Sequence, residues 1–173
     1  MAKPIIKNFI IPDDGIFPNN DALPLVLMKQ VFDPASSNLV RTIEERIHAN
    51  TWGGSWRNGI YSFHHYHSTA HEVLGLYAGK VPVQFGGPDG QVVQAEAGDV
   101  IIIPAGVSHK NLEQSSDFRC VGAYPVGQSP DMQYGKPGER PEVDKNIRSV
   151  PFPKKDPIFG KNGPLIEIWE KST

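Results

Sequence analysis

The sequence predicts an all-β fold made of short antiparallel strands. Between residues 58 and 124, apolar runs recur at regular intervals, and Gly, Pro and Asp separate them. Glycine contributes 17 residues and proline 16, so turns should be frequent along the chain. Short strands with such breaks are typical of an antiparallel barrel or sandwich. A length of 173 residues fits one domain, so we predict a single domain over residues 1–173.

The N-terminal region, residues 1–57, should contain two strands and one helix. The apolar runs IIKNFII (5–11) and ALPLVLMKQVF (22–32) predict the strands. The helix is predicted over residues 33–52, where Asp33 can cap it and Pro34 suits its first position.

The barrel core should span about residues 58–124. Its predicted strands are GIYSFHHYH, EVLGLYAG, KVPVQFGG, QVVQAEA, DVIIIPA, VSHKNLE and DFRCVGAY. The run VIII is apolar throughout, which predicts a strand that is buried on both faces.

The C-terminal region, residues 125–173, is rich in proline but contains the apolar runs IFG and PLIEIW. These runs argue against disorder, so we expect an extended arm packed on the barrel. Asn162-Gly163 predicts a small hairpin between the two runs.

The net charge and the apolar content of individual segments limit which partners and which cellular location we expect for the protein. The net charge is −2 without a basic run, which argues against nucleic acid. The opening residues lack the apolar stretch of a signal peptide, and no segment approaches the roughly 20 apolar residues of a membrane helix. The single cysteine, Cys120, cannot form an internal disulfide. We therefore expect a soluble cytoplasmic protein with no nucleic-acid or membrane partner.

The stretch HHYHSTAHE holds four of the six histidines and ends on Glu72. Alternate side chains of a strand share a face, so His65 and His67 should point in the same direction. The short turn STAH can then bring the Glu72 carboxylate beside the two imidazoles. This grouping predicts a metal site. Histidines that only stack on one another or face solvent would not need to lie on one face of a strand beside a carboxylate.

A distant histidine can complete the site. His109 follows the turn that Pro104 and Gly106 make between two strands. Imidazole and carboxylate ligands together suit Fe(II), Mn(II), Ni(II), Co(II) or Zn(II). Alternation aims His64 and His71 to the opposite face, so we expect both to point outward.

The spacing of these residues resembles the two sequence motifs of the cupin superfamily. The first motif is Gly, five residues, His-x-His, three or four residues, Glu, six residues, Gly; here it reads Gly59, His65, His67, Glu72 and Gly79. The second motif is matched by Gly98, Pro104, Gly106 and His109, but Glu113 stands where the motif ends in Asn. The longer run WRNGIYSFHHYHSTAHEVLG, together with GAYP, resembles the YjlB-type cupins.

The resemblance implies a cupin double-stranded β-helix, or jelly-roll barrel. The one N-terminal helix and the extended C-terminal arm predicted above complete the expected fold. It implies one divalent metal ion per chain in the barrel mouth, ligated by His65, His67, Glu72 and His109. We expect Fe(II), with Mn, Ni, Co or Zn as alternatives.

Function is predicted from the charge of this site. One carboxylate and three neutral imidazoles leave a divalent ion near +1, which favours anionic oxygen donors. We expect an oxygenase that acts on a small chelating molecule, because cupins with this ligand set include dioxygenases. The alternatives are a zinc or manganese isomerase of a sugar-like substrate and a non-catalytic binding or sensing module.

Strand alternation also predicts the residues around the substrate and a mode of assembly. The expected pocket residues are Tyr61, Phe63, Leu74, Leu76 and Asn111. Open sheet edges are usually covered or paired, so we expect a homodimer in which the N-terminal strand or the PLIEIW run contributes to the interface.

Overall fold

The computed structural model describes residues 3–173 and confirms the all-β prediction. Met1 and Ala2, which belong to the predicted domain, lie outside the described residues, and the single domain stays a prediction. In chain order the elements are β1 (Ile5–Ile11), β2 (Asn20–Lys29), α1 (Leu39–Ala49), β3 (Trp52–Asn58), β4 (Glu72–Ala78), β5 (Lys80–Phe85), β6 (Gln91–Glu96), β7 (Val100–Ile103), β8 (His109–Asn111), β9 (Arg119–Pro125), α2 (Glu142–Ser149) and α3 (Pro164–Lys171).

Within residues 3–173, the strands form two separate sheets whose paired neighbours are all antiparallel. The larger sheet has the order β1-β2-β7-β4-β9-β3, and the smaller one has the order β6-β5-β8. Most neighbours are distant in sequence, as the crossings of a jelly roll require. The architecture is the double-stranded β-helix of a cupin.

The central strand β7 shows why the larger sheet is buried on both faces. Ile101 and Ile103 lie in the core that the two sheets share. Val100 and Ile102 lie in a second core on the other face, beneath α1 and α3. The continuous apolar run VIII therefore serves two cores, as its composition predicts.

Helix α1 is shorter than predicted, because it begins at Leu39 instead of residue 33. The carboxylate of Asp33 accepts a hydrogen bond from the Ala35 N–H in a turn that precedes the helix. The helix buries Leu39, Ile43 and Ile47 against the larger sheet, as its apolar spacing requires.

The predicted strand GIYSFHHYH is not a regular strand, which is a correction to the sequence analysis. Its ordered pairing consists of two isolated bridges, His65 with His109 and Tyr66 with Gln133. Because the two bridges reach different segments, the stretch does not join either sheet as a continuous strand. The regular strand of this region, β3, comes earlier and was not predicted.

The C-terminal arm contains two helices, α2 and α3, where the sequence predicts an extended course. The hairpin predicted at residues 162–163 does not form, because Pro164 begins α3 at a position that suits proline. The buried Asp156 carboxylate accepts a hydrogen bond from the Leu165 N–H and holds this helix start. Trp169 anchors α3, since its Nε1–H donates to the Pro24 carbonyl of β2 over 2.9 Å.

Candidate metal centre

Strand pairing and one turn bring the motif residues together. Glu72 is the first residue of β4 and pairs with Ile103 of β7. In the turn before β8, the Gly106 N–H donates to the His67 carbonyl over 2.8 Å. Gly106 has a φ of 93°, and a Cβ there would overlap the carbonyl oxygen of Asn19. Glycine is therefore required where the second motif approaches the first.

Three buried side chains converge at the mouth of the jelly roll. The Nε2 atom of His67 lies 3.3 Å from Oε2 of Glu72, and the Nε2 atom of His109 lies 3.3 Å from Oε1 of the same carboxylate. Ligand atoms of the three residues all lie within 4.8 Å of one another. His65 stands beside this group, with its ring centroid 4.2 Å from that of His109.

Backbone carbonyls orient all three imidazoles of the site. The Nδ1 atoms of His65, His67 and His109 lie 2.9, 2.5 and 3.1 Å from the carbonyl oxygens of Phe63, Asp131 and Val107. A carbonyl oxygen only accepts hydrogen bonds, so each Nδ1 bears the hydrogen and each neutral ring keeps its lone pair on Nε2. This is the usual arrangement of a histidine that ligates a metal.

Burial and charge act in opposite directions on the protonation of these groups. Burial favours the neutral forms, but the Glu72 charge outweighs it and raises the pKa of His67 to about 9. Against the same burial, the facing His67 holds the pKa of Glu72 far below its usual range. Burial, together with the neighbouring His109, lowers the pKa of His65 to about 3, so its imidazole is neutral at physiological pH.

The donor set fits a divalent metal ion. A buried carboxylate faces two Nε2 atoms, and each Nδ1 already donates to the backbone. Without a cation, the carboxylate and the two lone pairs repel one another unless an imidazole takes up a proton. His67, Glu72 and His109 could hold the ion. The fourth predicted ligand, His65, is outside this converging group, although its ring lies beside that of His109.

The site opens into a cavity of about 330 Å³. Of the predicted pocket residues, Tyr61 and Leu74 line it. Phe63 is not part of the lining and stacks on Tyr61, with ring centroids 4.9 Å apart, and Leu76 lies in the core between the sheets. Asn111 is buried and donates to the Ile60 carbonyl over 2.5 Å, which fixes the segment that precedes the histidines.

Other residues of the cavity wall were not predicted from the sequence, among them Trp56, Arg57, Tyr124 and Met132. Tyr124 had a usable signal, because alternation along β9 places it on the same face as Cys120, which is in the shared core. Trp56 had none, since a register shift in β3 changes the alternation before it.

The outward direction predicted for His64 and His71 needs correction. His71 is only 1% exposed, because α3 covers it and its ring lies 4.7 Å from that of Trp169. Its Nδ1 accepts a hydrogen bond from the Ala105 N–H. His64 is half-buried, with its ring 5.6 Å from Phe17. Alternation separated both rings from the metal group, but it could not foresee that the N- and C-terminal segments would cover them.

Over residues 3–173, none of the three helices has the length and apolar character that a membrane crossing requires.

Solved structures with a similar fold are distant from this chain. Acireductone dioxygenase from Bacillus anthracis is 14% identical, with a TM-score of 0.41 over 74% of this chain and 82% of its own. A protein with a double-stranded β-helix domain from Klebsiella pneumoniae is 15% identical, with a TM-score of 0.36 over 78% of this chain and 82% of its own. The fold assignment therefore rests on the strand order and the register.

A relative matches the sequence over almost its full length, although no family model matches it. The relative is "Uncharacterized protein YjlB" of Bacillus subtilis (strain 168), which is 42% identical over 165 residues. The match covers 95% of this chain and 97% of the relative. Identity at this level over almost the full length of both proteins shows that the two belong to one family, and this chain therefore belongs to the YjlB family.

Proposed function

We propose that this protein is a divalent-metal-dependent oxygenase that favours Fe(II) and acts on a small chelating oxygen-donor anion. The observation that supports it most strongly is the pair of 3.3 Å contacts through which His67 and His109 face Glu72. Two imidazoles and one carboxylate with open positions are the donor set typical of non-haem Fe(II) oxygenases. His65 is available as a further neutral ligand.

The charge of the donor set favours an anionic ligand. One carboxylate and neutral imidazoles leave a divalent ion with a net charge near +1. Arg57 is the cation on the cavity wall, but its guanidinium makes two bonds to the Glu44 carboxylate, of 2.7 and 2.8 Å. The attraction for an anion therefore comes mainly from the metal position, which is where a chelating ligand would bind.

The cavity favours a small ligand. Its volume of about 330 Å³ is near the lower end of the range for small-molecule sites, which is about 300–1,000 Å³. Ile60, Leu74 and Met132 give it apolar walls that exclude water from the ligand's carbon skeleton. The imidazole and carboxylate groups of its lining, those of His65, His67, Glu72 and His109, are all buried.

A bound Fe(II) ion would supply Lewis acidity and access to dioxygen chemistry. The chain's own residues set the conditions for that chemistry. The carbonyls of Asp131 and Val107 hold His67 and His109 in position, so the ligands do not have to reorient when a substrate binds.

An anaerobic binding experiment followed by admission of oxygen tests this proposal. Metal-free protein is loaded with Fe(II), candidate oxygen-donor chelators are added, and charge-transfer absorbance is recorded. Oxygen is then admitted and its consumption is measured. We expect at least one anionic chelator to give both an absorbance band and oxygen uptake that depends on it.

Zinc-loaded protein is the matched control for redox chemistry, and it should bind chelators without oxygen uptake. Chelators that bind equally well to the Zn and Fe forms, with uptake in neither, would contradict the oxygenase. That result would favour an isomerase or a binding module.

The predicted homodimer and the cytoplasmic location stay predictions. The dimer is supported by β1, which ends the larger sheet and bears the exposed side chains of Ile5 and Ile10. Free strand edges are usually paired or covered, and two copies of β1 can pair with each other across a two-fold axis. Sedimentation at micromolar concentration should give twice the mass of one chain, and the mass of a single chain would exclude the dimer.

A further inference from the structure

Tyr124 places a phenol hydroxyl in the cavity, next to the metal ligands. The residue lies on β9, is 8% exposed and shares the cavity wall with His67 and Glu72. Its ring stands edge-on to that of His67, with centroids 5.8 Å apart. The site described above gives this hydroxyl no function.

Trp56 fixes the direction of the hydroxyl. Its indole Nε1–H donates to the Tyr124 oxygen over 2.8 Å. An indole nitrogen donates and cannot accept, so the phenol hydrogen must point away from Trp56. Gly122 makes this contact possible, because a Cβ at that position would overlap the Trp56 ring. The indole is thus seated on β9 beside the tyrosine that it orients.

The hydroxyl is a permanent donor. A phenol has an ordinary pKa of about 10 and keeps its proton at physiological pH. In this structure the Tyr124 hydroxyl faces the Glu72 carboxylate as its hydrogen-bond acceptor, and a ligand oxygen would take the place of that acceptor. Tyr61 also lines the cavity, but its side chain is 52% exposed and lies nearer the solvent. Tyr124 is therefore the buried hydroxyl donor of the cavity wall.

We infer that the Tyr124 hydroxyl donates a hydrogen bond to an anionic oxygen of the ligand held at the metal centre, and that it selects oxygen-donor anions over neutral nitrogen ligands. The inference rests on the proposed function, since it assumes an anion bound beside Glu72. A +1 centre neutralises one negative charge of a chelating dianion. The remaining charge needs a hydrogen-bond donor, and the Tyr124 hydroxyl supplies one.

Ligand affinity tests this function without turnover. The protein is loaded with Zn²⁺, its metal content is measured, and oxalate and imidazole are titrated separately by calorimetry. Oxalate is an oxygen-donor dianion, whereas metal-bound imidazole presents an N–H and cannot accept from the phenol. Tyr124→Phe should weaken oxalate binding by about tenfold to a hundredfold, the usual worth of a hydrogen bond to a charged group. Its affinity for imidazole should stay unchanged.

Two further variants test whether the location and the orientation of the Tyr124 hydroxyl matter for oxalate binding. Tyr134→Phe removes an exposed tyrosine hydroxyl outside this cavity and should bind oxalate as the wild type does. Trp56→Phe keeps the Tyr124 hydroxyl but frees its orientation, so the loss for oxalate should be smaller than in Tyr124→Phe.

Three results would overturn the inference. Tyr124→Phe and the wild type could bind oxalate equally, or the variant could lose oxalate and imidazole to the same extent. The variant could also lose its Zn²⁺, which would make Tyr124 a support for Glu72 instead of a ligand-binding residue. A wild type that takes up no Zn²⁺ would overturn the proposed function as well, whereas normal Zn²⁺ uptake with unchanged oxalate affinity overturns the role of Tyr124 alone.

Discussion

The Nδ1 atom of His67 lies 2.5 Å from the carbonyl oxygen of Asp131, a residue 64 positions later in the chain. The Asp131 carboxylate fixes that carbonyl, because it accepts hydrogen bonds from the Ser68 hydroxyl and from the N–H groups of Ser68 and Thr69. The C-terminal arm thereby orients the His67 imidazole of the candidate metal centre. The arm therefore does more than cover the site, because it also positions this imidazole.

Asp131→Asn should lower metal affinity by about tenfold to a hundredfold, the usual effect of disturbing a partner of a metal ligand. The amide places an N–H₂ group where Oδ2 now accepts from Ser68 and Gln133, so the segment that holds His67 shifts. Competitive titration with a metal indicator measures the affinity. Asp89→Asn, at an exposed carboxylate, is the matched control and should keep the wild-type value. Equal affinity in all three proteins would refute the positioning role of Asp131.

His71 should make the fold sensitive to acid. Burial lowers the pKa of His71 from 6.5 to about 3, so the folded protein keeps the ring neutral while the unfolded chain takes up a proton below about pH 6.5. The unfolded state then binds more protons, and stability falls as the pH falls from about 6.5 to about 3. The contribution of this one group approaches about 1.4 kcal/mol per pH unit.

Urea unfolding of metal-free protein at several pH values in this window measures the effect. His71→Gln should lose stability less steeply with falling pH than the wild type, by up to the slope of one proton. His48→Gln changes an exposed histidine and should keep the wild-type slope. Parallel curves for the wild type and His71→Gln would show that folding does not lower the pKa of His71.

Gly75 lets α1 lie close to the larger sheet. A Cβ at this position would stand 2.5 Å from Cγ2 of the fully buried Ile43, which is too close for two carbon atoms. Gly75→Ala should therefore destabilise the fold by about 1–3 kcal/mol, as overpacking usually does. Chemical denaturation measures the change.

The double variant Gly75→Ala/Ile43→Ala identifies the cause. Removing the Ile43 side chain gives the new methyl group room, so the cost of Gly75→Ala should shrink in that background. Strictly additive costs would mean that the methyl group introduced at position 75 clashes with some other atom.

The sequence was a reliable guide where local periodicity and burial agree. The run VIII has apolar residues on both faces, and the structure buries both faces in hydrophobic cores, so β7 was predictable. The spacing from His65 to Glu72 was equally informative, because a motif with fixed geometry leaves few alternative arrangements. The start of α1 was missed, since Asp33 satisfies an earlier turn as well as it would cap a helix.

Long-range contacts limited the prediction of the remaining features. Nothing near Asp131 or Met132 indicates the metal site, because the backbone pairing of Gln133 with Tyr66 brings that segment there. The run PLIEIW is apolar enough for a strand, but Pro164 at its start and the seat of Trp169 on β2 make it a helix. Strand alternation also failed around Phe63, where the backbone leaves the regular pleat.

Metal content is the measurement that tests the central claim most directly. Protein purified without a histidine tag or a chelator is analysed for metals, together with the variants His67→Ala and His64→Ala. The wild type should hold about one divalent ion per chain, His67→Ala should lose most of it, and His64→Ala should retain it, because the Nε2 atom of His67 faces Glu72 and the His64 ring packs beside Phe17. A wild type without metal, or equal loss in the two variants, would contradict a metal centre built on His67, Glu72 and His109.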